Sequence, residues 1–148
     1  MKPSIKLLTL AGVLCAGILT LHAADKKHLG GPKGGRLLEK TEPKTEFFIE
    51  KDHTVTIAFY DAALKPVAAG TQTVTVIADA KDGKATVEFE KKGDVLVSKT
   101  KLPEGDGYNL VVQFKQTAAA KPLNFRFKLD THACGTCKRA EYACTCEH

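Results

Sequence analysis

Between Asp25 and Ala133 the chain has no cysteine. A disulfide between strands of that stretch is therefore excluded, and its fold must stand on an apolar core. Sustained helical periodicity is also missing, which argues against parallel βαβ units. Dense Lys/Arg runs and aromatic-interleaved basic patches are absent from a chain whose net charge is only +5. Nucleic acid is not an expected partner of such a surface. Catalytic constellations are missing as well: there is no Ser/His/Asp arrangement, no paired-carboxylate motif and no phosphate loop. The stretch GGPKGG from Gly30 to Gly35 lacks a strand before it and a Lys-Ser/Thr after it, so it is not a P-loop. Glu88, Glu90 and Asp94 read as a solvated face. No enzyme is expected.

Long apolar runs are scarce too, and the one present is N-terminal. Lys2 and Lys6 precede an apolar stretch from Leu7 to Leu21, followed by small residues. This is the layout of a secretory signal peptide over residues 1–23, cut after Ala23. Cys15 reads as a passenger within it, because Gly12-Val13-Leu14 match a lipoprotein processing site poorly. Removing Lys2 and Lys6 leaves 20 basic against 17 acidic residues, a net +3. The expected location is periplasmic or secreted, hence oxidising, with no membrane span after signal removal.

Residues 24–43 are rich in Gly and Lys without periodicity and read as a flexible lead-in. Residues 44–130 then alternate with period two. Val55, Ile57 and Phe59 share one face; Val74, Val76 and Ala78 another; then Ala85, Val87 and Phe89; Leu110, Val112 and Phe114; and Leu123, Phe125, Phe127 and Leu129. EFFIE and DVLVSKT are weaker runs of the same kind. Turn signals at Lys81–Gly83, Lys91–Asp94 and Pro103–Gly107 separate the segments. About seven half-buried strands at this spacing predict an all-β fold: an antiparallel Ig-like β-sandwich.

FYDAALKPV (Phe59–Val67) and LPEGDGYNLVVQF (Leu102–Phe114) resemble segments of the Ig-like domains of periplasmic metal-resistance proteins, including accessory domains of heavy-metal efflux adaptors. HLGGPKGGRLLE, starting at His28, is similar to segments that precede them. The resemblance spans about residues 28–130. It implies an exported sandwich near metal handling, with a metal efflux or periplasmic protein as partner. No functional residue carries over, and the adaptor's helical hairpin and barrel segments are missing here.

Apart from Cys15, the cysteines all lie in the tail, residues 131–148. Cys134, Cys137, Cys144 and Cys146 form C-x2-C followed by C-x-C, flanked by His132 and His148. Three readings fit. A soft ion, Zn or Cu, wants converging thiolates, and C-x2-C puts two sulfurs on one ion. Gly135 would ease that turn through a positive φ, while Lys138 and Arg139 would offset thiolate charge. His132 and His148 are candidate further ligands. Alternatively the cysteines pair as disulfides, with no cofactor, and tie the tail of a structural or interaction module. Thiol exchange at Cys134 and Cys137 ranks last, for want of a helix start to lower a thiol pKa. The spacing favours the metal: a carrier, sensor or buffer. His28 reads as solvated and His53 as a strand-end residue. The tail is expected to be independent of the core, so that truncation after Asp130 leaves the domain folded.

Overall fold

The structure is a computed structural model that describes residues 29–146. The expected signal sequence, His28 and His148 lie outside the described residues. The fold is all-β and antiparallel. β1 (Arg36–Leu38), β2 (Lys44–Ile49), β3 (Val55–Tyr60), β4 (Pro66–Val67), β5 (Thr73–Ala80), β6 (Gly83–Lys92), β7 (Val95–Ser98), β8 (Asn109–Lys115) and β9 (Leu123–Lys128) are followed by a single 3-10 turn, Glu141–Ala143. Among the described residues no helix is long and apolar enough to cross a membrane.

Seven of these strands are the alternating segments of the sequence. β1 and β4 are additions, at three and two residues too short to show a period. Two packed sheets were expected. Instead one hydrogen-bonded path runs β1-β2-β3-β7-β6-β5-β8-β9, with β4 on β3. The ten-residue β6 makes this possible by changing partner along its length: Gly83–Glu88 pair with β5 and Phe89–Lys92 with β7. The sheet curls until its ends nearly meet, as a barrel does. Phe47 of β2 lies 5.4 Å from Phe127 of β9, edge to face. A cleft of about 410 Å³ between β1 and β9 marks the unclosed seam.

The core lies inside this curl and follows the alternation. Phe47, Ile57, Phe59, Val76, Leu110, Val112 and Phe114 are essentially inaccessible. Val87 is buried between exposed Thr86 and Glu88, as period two requires. Leu123, expected inward, is exposed at the seam, whereas Leu129 is buried.

β3 departs from the half-buried expectation: all six of its residues are buried. Its second face is covered by the lead-in, which was expected to be flexible. From Gly30 onward that segment is ordered. Gly30 bridges to Arg36, and Gly31–Gly35 closes as a turn, with the Gly31 N–H donating to the Gly35 carbonyl at 2.9 Å. Leu37 of β1 then packs with Ala58 and Tyr60 in a second, smaller cluster. Under the turn sits Glu46, a carboxylate with no accessible surface. It accepts from the Gly35 N–H at 2.7 Å, the Lys33 N–H at 3.1 Å and the Tyr60 hydroxyl at 2.7 Å. Burying a carboxylate demands such donors. Only glycine fits above it: a Cβ on Gly31 would lie 2.0 Å from the Glu46 Cδ.

His53 sits where expected, at a strand end. It adopts a left-handed φ of 67° in the β2–β3 turn, and its carbonyl accepts the Leu102 N–H at 2.9 Å.

Candidate metal centre

The chain leaves β9 through buried Leu129, whose N–H donates to the Tyr108 carbonyl at 2.7 Å. Ala133 and Ala140 then pair antiparallel, and the intervening residues form a tight knuckle. The Cys134 N–H donates to the Arg139 carbonyl at 2.7 Å, and the Lys138 N–H returns to the Cys134 carbonyl at 3.0 Å. The knuckle places Cys134 and Cys137 side by side. The chain next stitches back on itself, with the Glu141 N–H on the His132 carbonyl and the Tyr142 N–H on the Asp130 carbonyl, both at 2.9 Å. The 3-10 turn that follows delivers Cys144 and Cys146 to the knuckle.

All four sulfurs lie within 4.8 Å of one another. Cys134 and Cys144 are 3.4 Å apart, Cys137 and Cys144 3.7 Å, and Cys134 and Cys146 3.9 Å. A disulfide needs about 2.05 Å, so none of these pairs is bonded. Four sulfurs around Zn²⁺ at about 2.3 Å form a tetrahedron with edges of about 3.8 Å. The observed separations bracket that edge. Cys134 is buried and the other three are half-buried, so the site stands at the surface with one wall in the protein.

The four thiols are unequal. The Thr145 and Arg139 N–H groups, in that order, draw Cys137 down to about 6. The Cys146 N–H, 3.4 Å from the Cys144 sulfur, also draws Cys144 down, but burial and the three neighbouring thiols outweigh it and push Cys144 up to about 12. Burial raises Cys146 as well. Crowded thiols resist ionising together. A divalent cation removes that resistance, because its charge favours every thiolate at once.

The other predicted residues are placed differently. His132 stands apart from the sulfurs, in a separate group with Asp106 and Asp130. Its side chain is exposed, and its Nδ1 is 2.9 Å from Asp130 Oδ1 and 3.5 Å from Asp106 Oδ2. Those carboxylates raise its pKa, Asp130 first through its hydrogen bond. Gly135 does not supply the positive φ; Lys138 does, at 61°. Strand pairing between Ala133 and Ala140 forces the reversal after the second cysteine, not between the two. The Lys138 Nζ is held at 2.6 Å by the Gly135 carbonyl, and Arg139 Nη1 donates to the Gly31 and Gly35 carbonyls at 3.1 and 3.4 Å. Arg139 thus joins the knuckle to the glycine turn above Glu46. Gly30 permits this approach, since a Cβ there would lie 2.7 Å from Arg139 Cζ and 2.9 Å from Thr145 Cγ2.

The tail is also not independent of the core. Tyr142 and Ala143 are buried members of it. The Tyr142 hydroxyl accepts the Ile49 N–H at 3.0 Å, and Arg36 Nη1 donates to the Tyr142 carbonyl at 3.4 Å. Burial draws the Arg36 guanidinium down to about 10, which leaves it cationic at neutral pH. The sequence signals for this support were the doubled glycines at 30–31 and 34–35 and a tyrosine between the cysteine pairs. Neither indicates its contacts. No protein-family model, curated protein or solved structure matches the chain.

Proposed function

We propose that this is an exported metal-binding protein that holds one soft ion through Cys134, Cys137, Cys144 and Cys146, as a carrier, sensor or buffer. The observation that carries the reading is the convergence of four sulfurs within 4.8 Å of one another, three of the pairs at 3.4 to 3.9 Å. Tetrahedral four-sulfur geometry suits Zn²⁺ better than ions that prefer nitrogen or oxygen ligands. Cu⁺ shares the preference for thiolates and is the second candidate. The role is binding, not catalysis. Export rests on the N-terminal layout, and a partner in periplasmic metal handling rests on the resemblance of residues 28–130.

The test is native mass spectrometry on protein isolated from the exported fraction without chelator. One metal mass, lost on acidification and absent when all four cysteines are changed to serine, is the expected result. A metal-free chain lighter by four hydrogens would instead mean two disulfides. The reading would then pass to a structural or interaction module with a tied tail.

A further inference from the structure

The segment that separates the two cysteine pairs is not a passive linker. It carries Tyr142, which closes an aromatic triad with Phe47 at 6.1 Å and Phe127 at 6.3 Å. Phe47 belongs to β2 and Phe127 to β9, near opposite ends of the sheet path. Arg36 of β1 adds a second tie: its guanidinium sits 4.6 Å above the Phe127 ring while it donates to the Tyr142 carbonyl. One buried tyrosine thus pegs the seam of the barrel.

The peg is weakly held by its own segment. Within residues 131–146 only Cys134, Tyr142 and Ala143 are buried. Ordering every residue of that stretch costs conformational entropy, against a small apolar gain. The four sulfurs bracket the peg, two before it and two after. An ion bound to all four closes the stretch into a ring and leaves Tyr142 pre-positioned for the triad.

We infer that metal loading controls docking of the tail on β2 and β9, so that ion occupancy is read out as closure or opening of the barrel seam. The inference rests on the metal-binding reading above and specifies how a sensor built on that site would signal. Linkage makes it quantitative. The factor by which the ion strengthens docking equals the factor by which docking strengthens ion binding.

The Ile49 amide is the natural reporter, because its acceptor is the Tyr142 hydroxyl. Residue-resolved hydrogen exchange is followed on the full chain, stripped and then reloaded with one equivalent of Zn²⁺. Stoichiometry is measured on the same samples by native mass spectrometry. On loading, exchange at Ile49 is expected to slow by at least about tenfold, a typical coupling factor. The central amides of β5 and β8 should stay unchanged. One bound Zn²⁺ with unaltered Ile49 exchange would overturn the inference and leave the metal site standing. Failure to bind either Zn²⁺ or Cu⁺ would remove both. Tyr142→Ala should still bind one Zn²⁺, more weakly by the same factor, with no response at β2. Should that variant not fold, Tyr142→Phe keeps the ring and is expected to weaken Zn²⁺ binding about fivefold, the worth of one hydrogen bond. Unchanged affinity in either variant would refute the coupling.

Discussion

Glu46→Gln is the sharpest test of how the fold supports the candidate site. The carboxylate has no accessible surface, and its two oxygens receive three donors. Oε1 takes the Gly35 N–H; Oε2 takes the Lys33 N–H and the Tyr60 hydroxyl. Glutamine has nearly the same shape but only one acceptor oxygen. If its amide nitrogen replaces Oε2, it faces the Lys33 N–H; if it replaces Oε1, it faces the Gly35 N–H. The tyrosine hydroxyl can rotate, but a backbone N–H cannot. One donor is therefore orphaned in either orientation, the buried Gly35 N–H or the part-buried Lys33 N–H, at about 1–3 kcal/mol. The remaining bonds lose their charge assistance, which adds about 1 kcal/mol. A loss of about 2–4 kcal/mol is expected, read as a lower urea midpoint at unchanged slope. Tyr60→Phe removes one donor and leaves the other two in place, so it should cost about 1 kcal/mol. The double variant should fall short of additivity, because the two side chains share a bond. A Glu46→Gln midpoint equal to wild type, or full additivity with Tyr60→Phe, would refute the account of Glu46 as anchor of the glycine turn.

Three further outcomes follow from named contacts. Gly31→Ala should destabilise by about 1–3 kcal/mol through overpacking on Glu46, whereas Gly135→Ala, whose Cβ would meet nothing within 4 Å, should leave the urea midpoint in place; equal effects would contradict the placement of both glycines. Measured against the Zn²⁺-loaded full chain, truncation after Asp130 should lower stability by about 3–5 kcal/mol through loss of Tyr142 from the core, and an unmoved urea midpoint would restore the view of an independent tail. Burial is the main cause that pushes Tyr108 and Tyr142 up to about 12, while an unfolded tyrosine ionises near about 10. The unfolded chain therefore gives up those protons first. Stability from these groups is full below pH 10 and declines as the pH rises towards 12. The urea midpoint should fall over that window, less so in Tyr142→Phe; a flat profile would deny that the two phenols are buried.

The strands were legible because each carries its own evidence. Val74, Val76 and Ala78 alternate within six residues, and so do Leu110, Val112 and Phe114; all are buried. The closure was not legible. It depends on where β6 changes partner, and KATVEFEKK alternates straight through that point with no break to mark it. The lead-in was misread for a related reason. Glycine and lysine without a period signal flexibility only when nothing lies beneath them. Here Gly31 and Gly35 fit the space above a buried carboxylate eleven residues or more ahead in the chain.

The same division runs through the site. Four cysteines within thirteen residues announce themselves, since ligand spacing is a local property. What positions them is not local: Tyr142 meets Ile49 across 93 residues and Arg36 across 106. Local inspection also set the turn at the wrong residue. Gly135 looked like the hinge, yet Lys138 takes the left-handed conformation. A glycine after Cys137 would relieve that conformation, at a gain of about 1 kcal/mol. The chain keeps a lysine there, with its ammonium folded back on the Gly135 carbonyl. That keeps its ammonium on the knuckle that carries Cys134 and Cys137, and four thiolates around a divalent ion would carry −2. Strain accepted at Lys138 and a carbonyl-bound guanidinium at Arg139 have a common logic. Each leaves a cation on the knuckle, where it would offset the charge of thiolates, whereas disulfides carry no charge to offset.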